Sequence, residues 1–265
     1  MRFALTREIS SSFDRCQLTH LPRVPIDLDR ARRQHDAYEW LLVELGCTVR
    51  RIGSPPDTPD SVFVEDAAVV FPAGAVIARP GAEGRREETP AVEEALARFG
   101  VAQHRLTAPA TLDGGDVLVV DRRVFIGAST RTNVEGFDRM RRLLEPLGYA
   151  VRAVPVERCL HLKSAASAVA PGTVLVNRDW VPADAFAGLT IVDVDPDEPY
   201  AANALWLPEG EGPAPRGHGV VICAAAFPKT RARLERHGLR VRTVEVDELA
   251  KAEGGVTCCS LTWDR

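Results

Sequence analysis

Two adjacent cysteines behind a Gly-Gly pair are the residues of this 265-residue chain best placed to do chemistry. The tail runs Glu253-Gly254-Gly255-Val256-Thr257-Cys258-Cys259-Ser260-Leu261. Glycines let backbone approach a ligand closely, so a thiol just after them is a better nucleophile candidate than one inside a strand. Neighbouring cysteines in a strand face opposite sides, so only one of the two can meet a given pocket. His161 lies in Leu160-His161-Leu162-Lys163-Ser164, an alternating apolar and polar stretch that suits a structural histidine as well as a working one. Thr111-Leu112-Asp113-Gly114-Gly115-Asp116 sets two acids around a second Gly-Gly pair at the entry to a strand, where turn chemistry alone would also place them. Pro59 to Asp66 puts acids on an otherwise apolar strand, with Glu65 and Asp66 expected on opposite faces. A carboxylate beside Val64 and Ala67 is costly to bury unless a cation meets it. Brought to one spot, a thiol, an imidazole and several carboxylates would suit nucleophilic attack on a cationic substrate.

The elements that would bring them together repeat. Five times a helix or linker runs into glycine and then a β-rich stretch: Gly46 to Ile52, Gly100 to Leu106, Gly148 to Val154, Gly188 to Val194 and Gly238 to Val244. The glycines stand 54, 48, 40 and 50 residues apart, the signature of a ring or stack of similar units. One unit is fully legible. Val117 to Val120 and Val124 to Ile126 form a hairpin; Asn133 caps a helix with Phe137, Met140, Leu144 and Leu147 on one face; Gly148 closes it, and Tyr149 to Val156 completes a ββαβ unit. Ala68 to Phe71, Ala75 to Ala78 and a helix opening at Thr89-Pro90 repeat the order, and Phe227 to His237 is a further helix. The first unit offers only the helix Asp27 to Leu45. Its hairpin can come from the chain's two ends, Phe3 to Thr6 and Ser260 to Trp263, which would close the ring. The expected fold is therefore α/β, a five-bladed α/β propeller forming one domain over residues 1–265, with a doubly wound sheet as the competing arrangement. Only a propeller's central channel would gather residues spread from 60 to 258.

Composition narrows the function classes. The chain is 45% hydrophobic and 26% charged, with a formal net charge of −4, which sets aside disordered and coiled-coil readings and gives no electrostatic reason to expect nucleic acid or an anionic membrane. No apolar run approaches the roughly 18 residues needed to span a bilayer. Glu8 comes too early for a secretory signal, so a cytoplasmic protein is expected. The six cysteines show no Cys-x-x-Cys spacing and are read as reduced thiols.

At this point the sequence resembles the dimethylarginine dimethylaminohydrolase family of the guanidine-modifying (pentein) superfamily, whose fold is a five-bladed α/β propeller. The resemblance runs through Leu5-Thr6-Arg7, Pro59 to Asp66, Arg79 to Arg86, Leu112 to Asp116, Arg131-Thr132-Asn133, Leu160 to Ser164, Tyr200 to Asn203 and Gly255 to Cys258. It implies Cys258 as nucleophile, leaving Cys259 structural, His161 as general acid and base, and Asp113 as the carboxylate orienting that histidine. Asp113 is one methylene shorter than the glutamate of some bacterial members. The resemblance further implies Glu65 and Asp66 as guanidinium-binding positions and Arg85 and Arg131 as the pair gripping the substrate α-carboxylate. Asp60, with backbone oxygens near Leu18 and Ala252, would form the α-amino site, and the stretch Arg15 to Leu21 a lid. The implied reaction is hydrolysis of Nω-methylated arginine to citrulline and methylamines through a covalent thiouronium on the cysteine.

The substrate would be a small molecule, with no cofactor and no required metal. Zn²⁺ at Cys258, His161 and Asp66 would be adventitious, because no paired ligand spacing supports a structural site. Apolar patches on one blade's helices leave a homodimer open. The nearest alternative, arginine deiminase, resembles the chain less: members of that type are longer and carry an acid where Lys163 stands here. A ribosome anti-association factor on the same propeller would need no thiol-imidazole-carboxylate set. The stretch Pro208 to Gly217 reads as a loop of no assigned role.

Overall fold

All five strand-opening glycines, Gly46, Gly100, Gly148, Gly188 and Gly238, have a positive φ, between 68° and 88°. Glycine takes that left-handed turn without a Cβ penalty, so each ends its helix or linker and sends the chain into a strand. The structure is a computed structural model that describes residues 1–209 and 219–265. The five strands that follow, Cys47–Ile52, Gln103–Arg105, Ala150–Pro155, Thr190–Asp193 and Arg240–Val244, each pair parallel with the middle strand of a three-stranded sheet. The middle strands are Arg2–Arg7, Gly74–Ile77, Arg123–Ala128, Thr173–Val176 and Gly219–Ala224. Each pairs antiparallel with an inner strand: Leu261–Asp264, Ala68–Phe71, Val117–Val120, Ala166–Ala170 or Ala204–Pro208.

The sheet holding both termini is built as expected from the chain's two ends. Arg2 lies opposite Asp264 and Leu5 opposite Leu261, so the last strand completes the first blade. Residues of all five inner strands line one central cavity of about 220 Å³, among them Val69, Leu118, Ala168, Leu205 and Leu261. The strands therefore stand around a common axis, as in a propeller. Apolar side chains pack away from that axis in separate clusters, for example Val92 and Leu96 of the helix Thr89–Arg98 with Leu5, Ala75 and Ile77.

The helices begin where capping residues stand. Asp27 accepts the Arg30 N–H at the start of Leu28–Glu44, and Asn133 accepts the Gly136 N–H at the start of Val134–Leu144. The fourth unit departs from ββαβ: between its middle and outer strands stands only the 3-10 turn Ala183–Phe186. It falls within the shortest of the four glycine spacings, which leaves too little chain for a full helix. Of the expected loop Pro208 to Gly217, Pro208 ends an inner strand and Gly210 onward lies outside the described residues.

Candidate active site

Five polar side chains, four of them candidates from the sequence, arrive on equivalent pieces of chain, the short turn leading into each inner strand. Asp66 stands on the 3-10 turn Val64–Ala67, Asp113 caps Gly114–Asp116, and His161 caps Leu162–Ala165. Asn203 follows the turn Pro199–Ala202, and Cys258 lies in the turn before Leu261. Pseudo-symmetry of the blades thus delivers one chemical group per unit to the same end of the axis. Two expectations are corrected here. Pro59 to Asp66 is not a strand: turns and a 3-10 helix carry both acids inward instead of to opposite faces, and Glu65 N–H donates to the Cys258 carbonyl at 3.2 Å. The twin cysteines are likewise in a turn, not a strand.

The His161 ring lies between carboxylates. Its Nε2 is 3.0 Å from Asp113 Oδ2 and its Nδ1 is 3.7 Å from Asp66 Oδ1, all three residues being buried. Burial by itself lowers the pKa of His161, yet the Asp66 charge, the Asp113 hydrogen bond and buried Asp116 outweigh it and raise it to about 9. Conversely, burial works to raise the Asp66 pKa while His161 and Arg85 pull it down to about 2. Asp113 is fixed from behind by the Gly81 N–H at 2.9 Å, and Asp116 accepts the Leu162 N–H at 3.0 Å. Asp66, Asp113 and His161 have ligand atoms within 4.8 Å of one another, so among the described residues this trio, which does not include Cys258, is one of two groups spaced to hold a metal ion, the other being His35, Asp36 and Glu39.

The second Gly-Gly pair is a packing necessity. A Cβ on Gly114 would sit 1.9 Å from the Glu65 carbonyl oxygen, and one on Gly115 would sit 2.6 Å from His161 Nδ1 and 2.7 Å from Asp66 Oδ1. Gly115→Ala is therefore expected to push the imidazole off its carboxylates. Steady-state kinetics should show kcat down by about tenfold or more, since small misplacements of a reacting group are costly. The protein stays folded, with a stability loss of about 1–3 kcal/mol for overpacking read by thermal unfolding. An unchanged kcat would mean the ring has slack.

Cys258 is half-buried, and its Sγ accepts the Gly255 N–H at 3.4 Å. Burial, then Glu65 and Asp66, push its thiol up to about 12, so it rests protonated. Cys259 is buried in the core cluster that contains Tyr38 and Leu249 and points its Sγ at the Gly255 carbonyl. Glu65 is not free: Lys163 Nζ reaches its Oε1 at 2.6 Å and Thr257 Oγ1 its Oε2 at 2.7 Å. Burial raises the Glu65 pKa against this pairing with Lys163.

The expected carboxylate grip divides unequally. Arg85 is buried and spent: it pairs with Asp66 at 2.5 Å and Glu88 at 2.9 Å, and donates to the carbonyls of Asp60 and Phe63. Arg131 keeps a buried Nη1 without a hydrogen-bond partner among the described residues, 4.0 Å from Asp113. Buried Asp60 accepts the Gln17 N–H on both oxygens, at 3.1 and 3.2 Å. Leu18 and Ala252 belong to the same apolar cluster as Cys258, Leu18 at its margin and Ala252 buried within it.

A family model described as N,N dimethylarginine dimethylhydrolase, eukaryotic, matches residues 8–262. The N(G),N(G)-dimethylarginine dimethylaminohydrolase of Streptomyces coelicolor is 40% identical over 258 residues, 97% of this chain and 95% of that one. The chain belongs to the dimethylarginine dimethylaminohydrolase family. Among solved structures of dimethylarginine dimethylaminohydrolases, a Cys-to-Ser variant from Pseudomonas aeruginosa complexed with citrulline is similar with a TM-score of 0.90, at 34% identity over 98% of both chains. A His-to-Gly variant adduct with S-methyl-L-thiocitrulline has a TM-score of 0.88, at 34% identity over 98% of this chain and 99% of that one. Arginine deiminase is a more distant relative: the Mycobacterium tuberculosis enzyme is 26% identical over 76% of this chain and 60% of its own length.

Within this dimethylarginine dimethylaminohydrolase frame, several residues of the site escaped the sequence. Asn203 accepts the Thr257 N–H at 3.0 Å through Oδ1 and donates to Thr257 Oγ1 and the Lys163 carbonyl through Nδ2, bracing the turn that carries Cys258. It lies in a fragment that carried the resemblance, but its partners are 54 and 40 residues away in the chain. Glu88 and Lys163 bind site residues in the same unannounced way.

Proposed function

We propose that this protein hydrolyses Nω-methylated L-arginine to citrulline and a methylamine, with Cys258 as nucleophile, His161 as general acid and base and Asp113 as the group orienting it. The observation that carries the reading is that one buried carboxylate, Asp66, lies 3.7 Å from an imidazole it helps keep protonated and, with burial and Glu65, holds the Cys258 thiol neutral. A planar cation is the ligand such a site lacks. A guanidinium entering beside Asp66 supplies the positive charge that lets Cys258 ionise, its proton leaving through the site to solvent. The thiolate sulfur then bonds to the guanidinium carbon. The imidazolium of His161 gives its proton to the departing amine as the C–N bond breaks, leaving a thiouronium on Cys258. Neutral His161 next takes a proton from water, whose oxygen bonds to the same carbon. The C–S bond breaks, the proton left on the new C–O–H group passes to the departing sulfur, and citrulline leaves with the Cys258 thiol and the His161 imidazolium restored. No oxyanion develops in the first step, so carboxylates replace the amide donors that acyl transfer would need.

Arg131, with its unpartnered Nη1, takes the α-carboxylate, because the guanidinium fork suits two parallel charge-assisted bonds. Arg85 joins it only by loosening Asp66 or Glu88; as it stands it holds Asp66 in place. Asp60 and the carbonyls of Leu18 and Ala252 take the α-amino group. Glu65, neutralised by Lys163, leaves one side of the guanidinium lightly gripped, which suits methyl groups over unsubstituted nitrogen.

The test is a panel of dimethylarginine, monomethylarginine, arginine and agmatine, assayed for ureido product and released amine. Citrulline with methylamines from the methylated substrates, and little from arginine or agmatine, is the expected result. Ammonia from arginine at a comparable rate would instead place the activity with the deiminases.

A further inference from the structure

The Glu253 carboxylate is a clamp joining two segments of the chain. It accepts the N–H groups of three consecutive residues: Thr19 at 3.0 and 3.1 Å, His20 at 2.5 Å and Leu21 at 2.6 Å. Three successive N–H groups form a concavity suited to an anion, and here the chain supplies its own. Glu253 takes up this role from a left-handed backbone, φ +60°, an arrangement a non-glycine residue keeps only where its surroundings hold it.

The clamp has neighbours on both strands of chain that bear on the site. Ala252 immediately precedes Glu253, and Leu18 immediately precedes Thr19. One residue further back, the Gln17 N–H is held by both oxygens of Asp60. Arg131 Nη2 reaches Thr19 Oγ1 at 3.3 Å. Leu18 is thus fixed between two carboxylate anchors, Asp60 before it and Glu253 after it. The two backbone carbonyls read as α-amino ligands each lie one residue from the clamp.

We propose that Glu253 is a positioning residue that sets the spacing of the Leu18 and Ala252 carbonyls. On that basis it selects substrates carrying an α-amino group. The inference rests on the proposed function and adds to it a residue that touches no substrate atom. Without the carboxylate, segment 17–21 stays tied through Asp60 but its far end is released. The carbonyl geometry then loosens, while Cys258, His161 and Asp113 keep all the contacts described above.

The test compares Glu253→Gln and Glu253→Ala with the parent protein on two substrates, Nω,Nω-dimethylarginine and its desamino analogue, which keeps the carboxylate and the guanidinium. For the amino substrate, KM is expected to rise about tenfold in the Ala variant and less in the Gln variant, as lost charge-assisted hydrogen bonds predict. The kcat should stay within about threefold, as for a residue outside the reacting set. For the desamino analogue KM should not move. Equal rises for both substrates, or none for either, would overturn the assignment. Amide hydrogen exchange at Thr19, His20 and Leu21 gives a readout independent of turnover. Faster exchange in the Ala variant is expected, and unchanged protection would also overturn the clamp. A parent protein that turns over neither substrate would sink the proposed function itself, and is recognised before any variant is compared.

Discussion

Cys258→Ser is expected to lower kcat by at least about a thousandfold, since removal of a nucleophile that acts within a unit forfeits nearly the whole chemical contribution. A serine hydroxyl in that acidic, buried corner has no route to its anion, whereas the thiol has one that depends on substrate. Burial, Glu65 and Asp66 push the Cys258 thiol up to about 12, so at neutral pH the ligand-free protein carries little thiolate. A guanidinium placed among those carboxylates reverses the sign of the local field, and the apparent thiol pKa should fall. Ultraviolet absorbance of the thiolate, titrated with and without an unreactive guanidinium, reads this directly. A low pKa in the free protein, unmoved by ligand, would contradict the argument. Cys259→Ser is the control. That sulfur is buried among core side chains and donates to the Gly255 carbonyl, so its loss should cost about 1 kcal/mol of stability and leave kcat nearly intact.

What the sequence discloses of this fold is whatever the backbone must repeat. Gly46, Gly100, Gly148, Gly188 and Gly238 are visible because a left-handed turn before a strand requires glycine at every unit, and their spacing exposes the ring before any contact is known. The pairing of the two termini follows because a unit without a hairpin needs one. The acids at 65 and 66 mislead because their apolar neighbours imitate a strand. What decides their conformation is a hydrogen bond from Glu65 to Cys258, and no local pattern carries that information. The same limit hides the state of the site. Lys163 and Glu65 are 98 residues apart, and only the fold shows that the cation is spent on a carboxylate proposed for the guanidinium. Arg85 and Glu88 are only three apart, yet whether that arginine is free or engaged depends on the 3-10 turn that stacks them. Residue types and their order thus name the chemistry, and the pairing of charges decides which groups remain available for it.

Asp113→Asn should lower kcat by about 10²–10⁴-fold with KM changed far less, by the logic that a histidine held in the wrong protonation state loses its function while its geometry survives. The geometry here makes the inversion specific. Gly81 N–H donates to Asp113 Oδ1 at 2.9 Å, so an asparagine will keep its oxygen on that side and turn its amide nitrogen toward His161 Nε2. Two donors then face each other unless Nε2 gives up its proton, and the imidazolium proposed to protonate the leaving amine is disfavoured. The pH profile should move in the matching direction. His161 is lowered by burial but carried up to about 9 by Asp66, Asp113 and Asp116 together, while Arg85 and Arg131 stand on the far side of the contacts to Asp66 and Asp113. Removing one carboxylate lowers that value, so the alkaline limb of kcat should shift toward neutrality. Stability obeys the same linkage: a histidine whose folded pKa is raised contributes fully below about pH 6.5, and the contribution fades as pH climbs through about 9. The variant should lose the part of that increment that Asp113 supplies at neutral pH and little above pH 9, which thermal unfolding across that range would register. A variant whose KM rises as much as its kcat falls would assign Asp113 to substrate binding and detach it from the histidine.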